Sequence, residues 1–171
     1  DKGALILTER TLKDAESGLD LATLTSTTFA RGNGGYDGPS DEAPRPHKVP
    51  EREPDFAVDL TTLDMAALIY RLSGDYNPLH ASPSVARAAG FPKPILHGLC
   101  SLGVAGHAIL KGCCDYDAKR LKSLQLRFSS PVYPGESMRT EIWRDGANIS
   151  FKSKIVERDV VVLDNGHATV E

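Results

Sequence analysis

Apolar and polar positions change rhythm several times along this chain, and each change predicts an element. In the opening stretch GALILTERTLKDAESGLDLATLTSTTFARG, Leu19, Leu21, Thr23 and Thr25 alternate with polar or small residues. A period of two marks half-buried strands, and Lys13 to Gly18 supply the turn between two of them. From Leu63 the period lengthens. Leu63, Ala66, Ala67 and Tyr70 share a helix face, Thr61 or Thr62 is placed to cap that helix, and Gly74 to stop it. Ser82 and Pro83 start a second short helix that Gly90 ends. The segment ILHGLCSLGVAGHAILKG is apolar or small nearly all round, which predicts a third helix buried on every side. Its Gly98, Gly103 and Gly106 each cost about 1 kcal/mol relative to Ala, so something must approach the backbone closely there. Alternation then returns at Leu124, Leu126 and Phe128, at Met138, Thr140 and Ile142, and at Ile149, Phe151 and Ile155. Turns are expected at Tyr133 to Glu136, with hairpins at Asp145-Gly146 and Asn165-Gly166. The order of elements predicts an α+β fold, an antiparallel sheet wrapped around the third helix.

Between the strands and the first helix, Gly32 to Phe56 carries five prolines and four glycines with few apolar residues. Such composition favours an extended connection, in which His47 is expected to be solvated. Three regions follow: terminal strands over 1–31, a Pro/Gly-rich linker over 32–56, and the main domain over 57–171. Two strands need a further layer to cover their apolar face. The first region is therefore expected to close a domain whose beginning lies outside the sequence.

Composition narrows the function classes. A formal charge of -3 with pI near 6.0 gives no reason to expect nucleic acid or an anionic membrane as partner. Every apolar run is interrupted before it could span a bilayer, and no signal peptide is visible, although the chain opens on Asp1. Cys100, Cys113 and Cys114 make a poor disulfide framework and fit small buried hydrophobes. No metal-ligand spacing is evident, so no metal is expected.

The chemistry concentrates in LSGDYNPLHAS, where an acid, an amide, a proline and an imidazole fall between Asp75 and His80. A carboxylate and a neutral imidazole held close together can bind one water and divide proton transfers between them. Asn77 both donates and accepts, which suits orienting a water. The rigid helices expected on either side favour a precise site. Turns use Asp and Asn so often that the spacing alone also fits an ordinary turn with His80 as a passenger. His97 and His107 are expected to be structural.

The longer segment YRLSGDYNPLHASPSVARAAGFPKPILHGLC closely resembles the signature of the (R)-specific enoyl-CoA hydratases, the hydratase 2 or MaoC-like family. RFSSPVYPGESMRTEIWRDG resembles the family's strands after the central helix, and the likeness runs from Asp55 to about Val170. Residues 1 to 35 look like the close of the N-terminal repeat in members that carry two hot-dog folds. The resemblance implies a hot-dog fold and reversible addition of water to a trans-2-enoyl-CoA, giving the (3R)-3-hydroxyacyl-CoA. It matches Asp75 and His80 to the family's catalytic pair and Asn77 to its accompanying residue. Gly98 matches the glycine whose N–H binds the thioester oxygen, while Phe128 and Lys2 align with positions that touch CoA. No cofactor is implied, since the CoA thioester is itself the substrate. A homodimer, or association with the absent N-terminal half, is expected. The compartment would be cytoplasmic in a bacterium and peroxisomal in a eukaryote. A hot-dog acyl-CoA thioesterase, an acyl-carrier-protein dehydratase and a non-catalytic acyl-CoA-binding or assembly module are the alternatives. Lys93, Lys122 and Arg127 could meet phosphates or be ordinary surface charges.

Overall fold

The computed structural model describes residues 3–36, 38 and 45–171, which divide into two compact units at Pro44/Arg45. In the first unit, β1 (Gly3–Lys13) and β2 (Asp20–Arg31) form an antiparallel pair, with a turn where Asp14 binds Ser17 through its carboxylate. The pairing is as alternation predicts. Its apolar side chains stand open to solvent, with Leu5 at 52%, Leu19 at 67% and Leu21 at 67% exposure.

The second unit is a five-stranded antiparallel sheet in the order β3-β5-β6-β7-β4, with one long helix packed on its inner face. Its strands are β3 (Phe56–Thr61), β4 (Leu121–Phe128), β5 (Ser137–Asp145), β6 (Asn148–Ile155) and β7 (Val160–Val170). The helices are α1 (Ala66–Tyr70), α2 (Pro83–Ala88) and α3 (Gly98–Cys113). Chain order and spatial order differ because β4 pairs with β7, the last strand, and β3 pairs with β5. This is the α+β hot-dog arrangement.

Period-two alternation places Met138, Thr140 and Ile142, and likewise Ile149, Phe151, Ser153 and Ile155, in the core beside Ala105, Ala108 and Ile109 of α3. Each fully buried Ile, Phe or Met side chain contributes about 1.5–3 kcal/mol. Thr140 and Ser153 are buried together and bond to one another at 2.9 Å, so neither hydroxyl is left bare. Cys113 and Cys114 lie in the same core at the end of α3, 4% and 0% exposed. Burial pushes the Cys113 and Cys100 thiols above their ordinary range.

Four expectations are corrected. The helix α3 is not buried on every side: Leu99 is 61% exposed and Gly103, His107 and Lys111 continue the open stripe. One sheet can curve around only one face of a cylinder. Thr61 and Thr62 do not cap α1, which starts after Met65 with no side-chain cap. Thr62 instead donates to Glu136 O and accepts from Gly135 N, pinning the Tyr133–Glu136 turn. Asn165-Gly166 is no hairpin but an irregularity inside β7, where the register shifts against β4 and β6. A Cβ at Gly166 would meet Phe151 O and its ring, so the glycine is required by close backbone approach. The hairpin before β7 lies at residues 156–159, with Asp159 at φ 49°. Finally, His47 is not solvated: Nε2 meets Ser150 Oγ at 2.8 Å, and its carbonyl accepts from Asn165 Nδ2.

His47 belongs to a strap, residues 45–55, laid on the outer face of the sheet. Trp143 Nε1 donates to Arg52 O, and Asp55 receives both the Arg52 guanidinium and the Arg144 N–H. Together these hold the Asp55 carboxyl down at about 2. Among the described residues, no helix is long and apolar enough to cross a membrane.

Candidate active site

The Asp75–His80 segment is a sequence of short-range locks. A 3₁₀ turn over Arg71–Ser73 ends on Gly74 at φ 111°, a conformation that favours glycine. Asp75 Oδ1 then accepts from Asn77 N at 3.2 Å, and Asn77 Oδ1 accepts from Leu79 N at 3.0 Å. Pro78 opens a second 3₁₀ turn, Pro78–His80, which Asn77 caps. Asn77 Oδ1 therefore shapes the turn, and its NH2 group is the part that can face a ligand. The Asp75 carboxylate is 54% exposed.

His80 is held from a distance in sequence. Its Nδ1 lies 2.8 Å from Ile95 O, and its ring stacks on His97 with centroids 3.7 Å apart and planes inclined by 27°. His97 is almost wholly buried, with its Nε2 3.2 Å from Asp75 O. Burial holds its imidazole below the ordinary histidine range, although the Asp75 carbonyl opposes this. The 4.0 Å approach of His97 Nε2 to Asp75 Oδ2 is therefore contact with a neutral ring, not an ion pair. Residue chemistry alone assigned His97 a structural place. Its position directly before Gly98, in LHG, was the one signal that ties it to the site.

A carboxylate oxygen of Asp75 and ring nitrogens of His80 and His97 lie within 4.8 Å of one another. Two stacked imidazoles carry their lone pairs in separate, nearly parallel planes, so one metal ion cannot lie in both. The arrangement suits proton transfer better than metal binding.

Gly98 starts α3, a helix without a side-chain N-cap, and borders the same region as His80. A Cβ on Gly98 would meet the Phe128 ring at 3.2 Å. Gly98, Phe128, His80, Phe91, Ile95 and Val132 border a hollow of about 320 Å³. A second hollow of about 310 Å³ is bordered by Asp64, Leu68, Lys93, Pro94 and Pro134, and again by His80. The imidazole thus stands between two hollows. A larger groove of about 700 Å³ lies under the strap, against Trp143 and Lys152, and none of the expected site residues touches it. The structure brings Asp75, Asn77, His80, Gly98 and Phe128 into one region. Lys2 lies outside the described residues. Lys93 sits over Tyr133 at the second hollow, Lys122 pairs with Glu171, and Arg127 is exposed on β4.

Residues 46–166 match the model of the MaoC like domain. The chain belongs to the MaoC-like family. It is 43% identical to 3-hydroxyacyl-thioester dehydratase Y of Mycobacterium tuberculosis, covering 96% of this chain and 59% of that protein. It is 40% identical to the peroxisomal enoyl-CoA hydratase 2 of Arabidopsis thaliana, covering 95% of this chain and 56% of that one. The MaoC-like dehydratase from Phytophthora capsici superposes with a TM-score of 0.87 at 42% identity, over 99% of this chain and 60% of that chain. This MaoC-like chain therefore spans somewhat less than three-fifths of the length of these two curated relatives.

Proposed function

We propose that this MaoC-like chain carries the site of an (R)-specific enoyl-CoA hydratase of fatty acid metabolism. It adds water reversibly across a trans-2-enoyl-CoA to give the (3R)-3-hydroxyacyl-CoA. The observation that carries this reading is the contact between His80 Nδ1 and Ile95 O. A carbonyl oxygen only accepts, so the neutral ring bears its proton on Nδ1 and leaves the Nε2 lone pair free. With the Asp75 carboxylate close by, the pair can hold one water, take one of its protons and pass a proton to the substrate, the other water proton staying in the new hydroxyl. The water oxygen bonds to C3, and a proton is delivered to C2 as the double bond is lost.

Electron density moves onto the thioester oxygen during that addition. The start of the 16-residue helix α3 offers free N–H groups and partial positive charge there. Gly98, with no side chain, lets the thioester reach them, and Phe128 can line the approach. No step in this scheme calls for a metal or redox cofactor. The relative named a dehydratase would make the same bond changes in reverse, so the two names fit one chemistry. The names of eukaryotic relatives place those enzymes in peroxisomes, which supports that compartment for a eukaryotic source.

Incubating the chain with crotonyl-CoA and a decenoyl-CoA, followed by chiral analysis, tests the proposal. The expected product is the (3R)-3-hydroxyacyl-CoA. Release of free CoA would assign a thioesterase, and binding without turnover a non-catalytic module.

A further inference from the structure

We infer that His97 is a positioning residue, whose buried ring holds the His80 imidazole and the Asp75 main chain in one fixed relation. Its meaning for turnover rests on the hydration reading above, whereas its geometry can be tested without any substrate.

His97 is 1% exposed and touches the site at two points. Its ring lies against His80 at 3.7 Å, and Tyr70 packs on it with centroids 4.7 Å apart. Its Nε2 reaches the Asp75 carbonyl, which can only accept, so Nε2 carries the proton and Nδ1 does not. That Nδ1 is buried with no hydrogen-bond partner. An orphaned buried nitrogen destabilises the fold, and a phenyl ring would fill the same space and stack as well without it. Packing alone therefore does not account for a histidine here. The Nε2–H bond to Asp75 does: it fixes the backbone from which the carboxylate projects, while the same ring fixes the imidazole plane opposite. His97 also immediately precedes Gly98, and its carbonyl accepts from Ser101 N in the first turn of α3. One rigid side chain thus sets the mutual placement of the turn and the ring, beside the helix start.

The test compares His97→Phe, which keeps the stack and loses the donor, with His97→Gln, which loses the ring and keeps a donor. The Phe variant is expected to melt no lower than wild type yet to lose about 10²-fold in kcat, since small misplacements carry such penalties. KM should change little, and the Gln variant should recover part of the loss. Nitrogen-15 spectra of the His80 ring give the substrate-free readout. Asp75→Asn should move those resonances in the wild-type background and move them less when His97 is Phe. If Phe prevents folding, His97→Met replaces it, being equally apolar and equally without a donor. Wild-type kcat in a folded His97→Phe chain, or an identical His80 response in both backgrounds, overturns the inference. So does a wild-type spectrum with the His97 proton on Nδ1. Should wild type hydrate no enoyl-CoA, the hydration reading fails while the spectra still decide the positioning role.

Discussion

At the scale of single residues, the expected division of labour predicts separable losses. Asp75→Asn and His80→Gln keep size and remove proton-transfer capacity, a loss typically worth about 10²–10⁴-fold. Each is expected to lower hydration by that order while circular dichroism stays unchanged. Near wild-type turnover in either folded variant would remove that residue from the reaction. Gly98→Ala is a different kind of change. Its new methyl group meets a Phe128 ring that is 49% exposed and able to move, and Ala favours helix over Gly. The expected outcome is a melting temperature held or slightly raised, with activity lost because the thioester no longer reaches the helix start. Normal turnover would locate the oxyanion contact elsewhere. The grouping of Asp75, Asn77, His80 and Gly98 as candidates was legible in the sequence, because one motif and one helix start contain them. His97 was not, since what matters about it is a stack and a carbonyl contact across 17 and 22 residues of chain.

At the scale of elements, local pattern predicted strands and helices well and failed where a tertiary contact decides. An Asn-Gly pair is a strong hairpin signal on its own. Here Asn165-Gly166 lies inside β7, because Phe151 on the neighbouring strand needs a position without Cβ. The strap shows the same limit, since the prolines and glycines of 32–56 gave that whole stretch the look of a linker. Three of its residues, His47, Arg52 and Asp55, tie it to the sheet through Ser150, Trp143, Ile142 and Arg144. Asp55 makes its contribution testable by pH. Its carboxyl is held at about 2, against an ordinary 3.8, chiefly by Arg52 and then by the Arg144 N–H. A depressed carboxylate stabilises fully above the ordinary value and loses that effect as pH falls toward its folded value. Wild type should therefore exceed Asp55→Asn in urea midpoint at neutral pH. The gap should close between about 3.8 and 2, and a gap independent of pH would exclude the ion pair as its source.

At the scale of the whole chain, the sheet wrapped on α3 follows from periodicity plus one largely apolar helix. The order β3-β5-β6-β7-β4 does not, because alternation says which face is buried and nothing of which strand is the neighbour. The pair β1-β2 adds a further question, since its leucines face solvent on a sheet too small to stand alone. We propose that a second copy, or further chain, covers them. Sedimentation of the 171-residue chain should then reveal a species heavier than 18.5 kDa. A lone monomer whose residues 3–31 resist hydrogen exchange would contradict this.

The adjacent thiols of Cys113 and Cys114 have one more consequence. Both sit in the same core as Ile109, Met138 and Phe151, so a maleimide reaches them only when that core comes apart. Cys100, partly exposed, gives a reference for reaction without opening. The unmodified chain thus carries its own clock: doubly labelled Cys113–Cys114 peptide should accumulate at the rate of global opening and accelerate with urea. Labelling at the pace of Cys100 would mean that the end of α3 frays independently of the sheet.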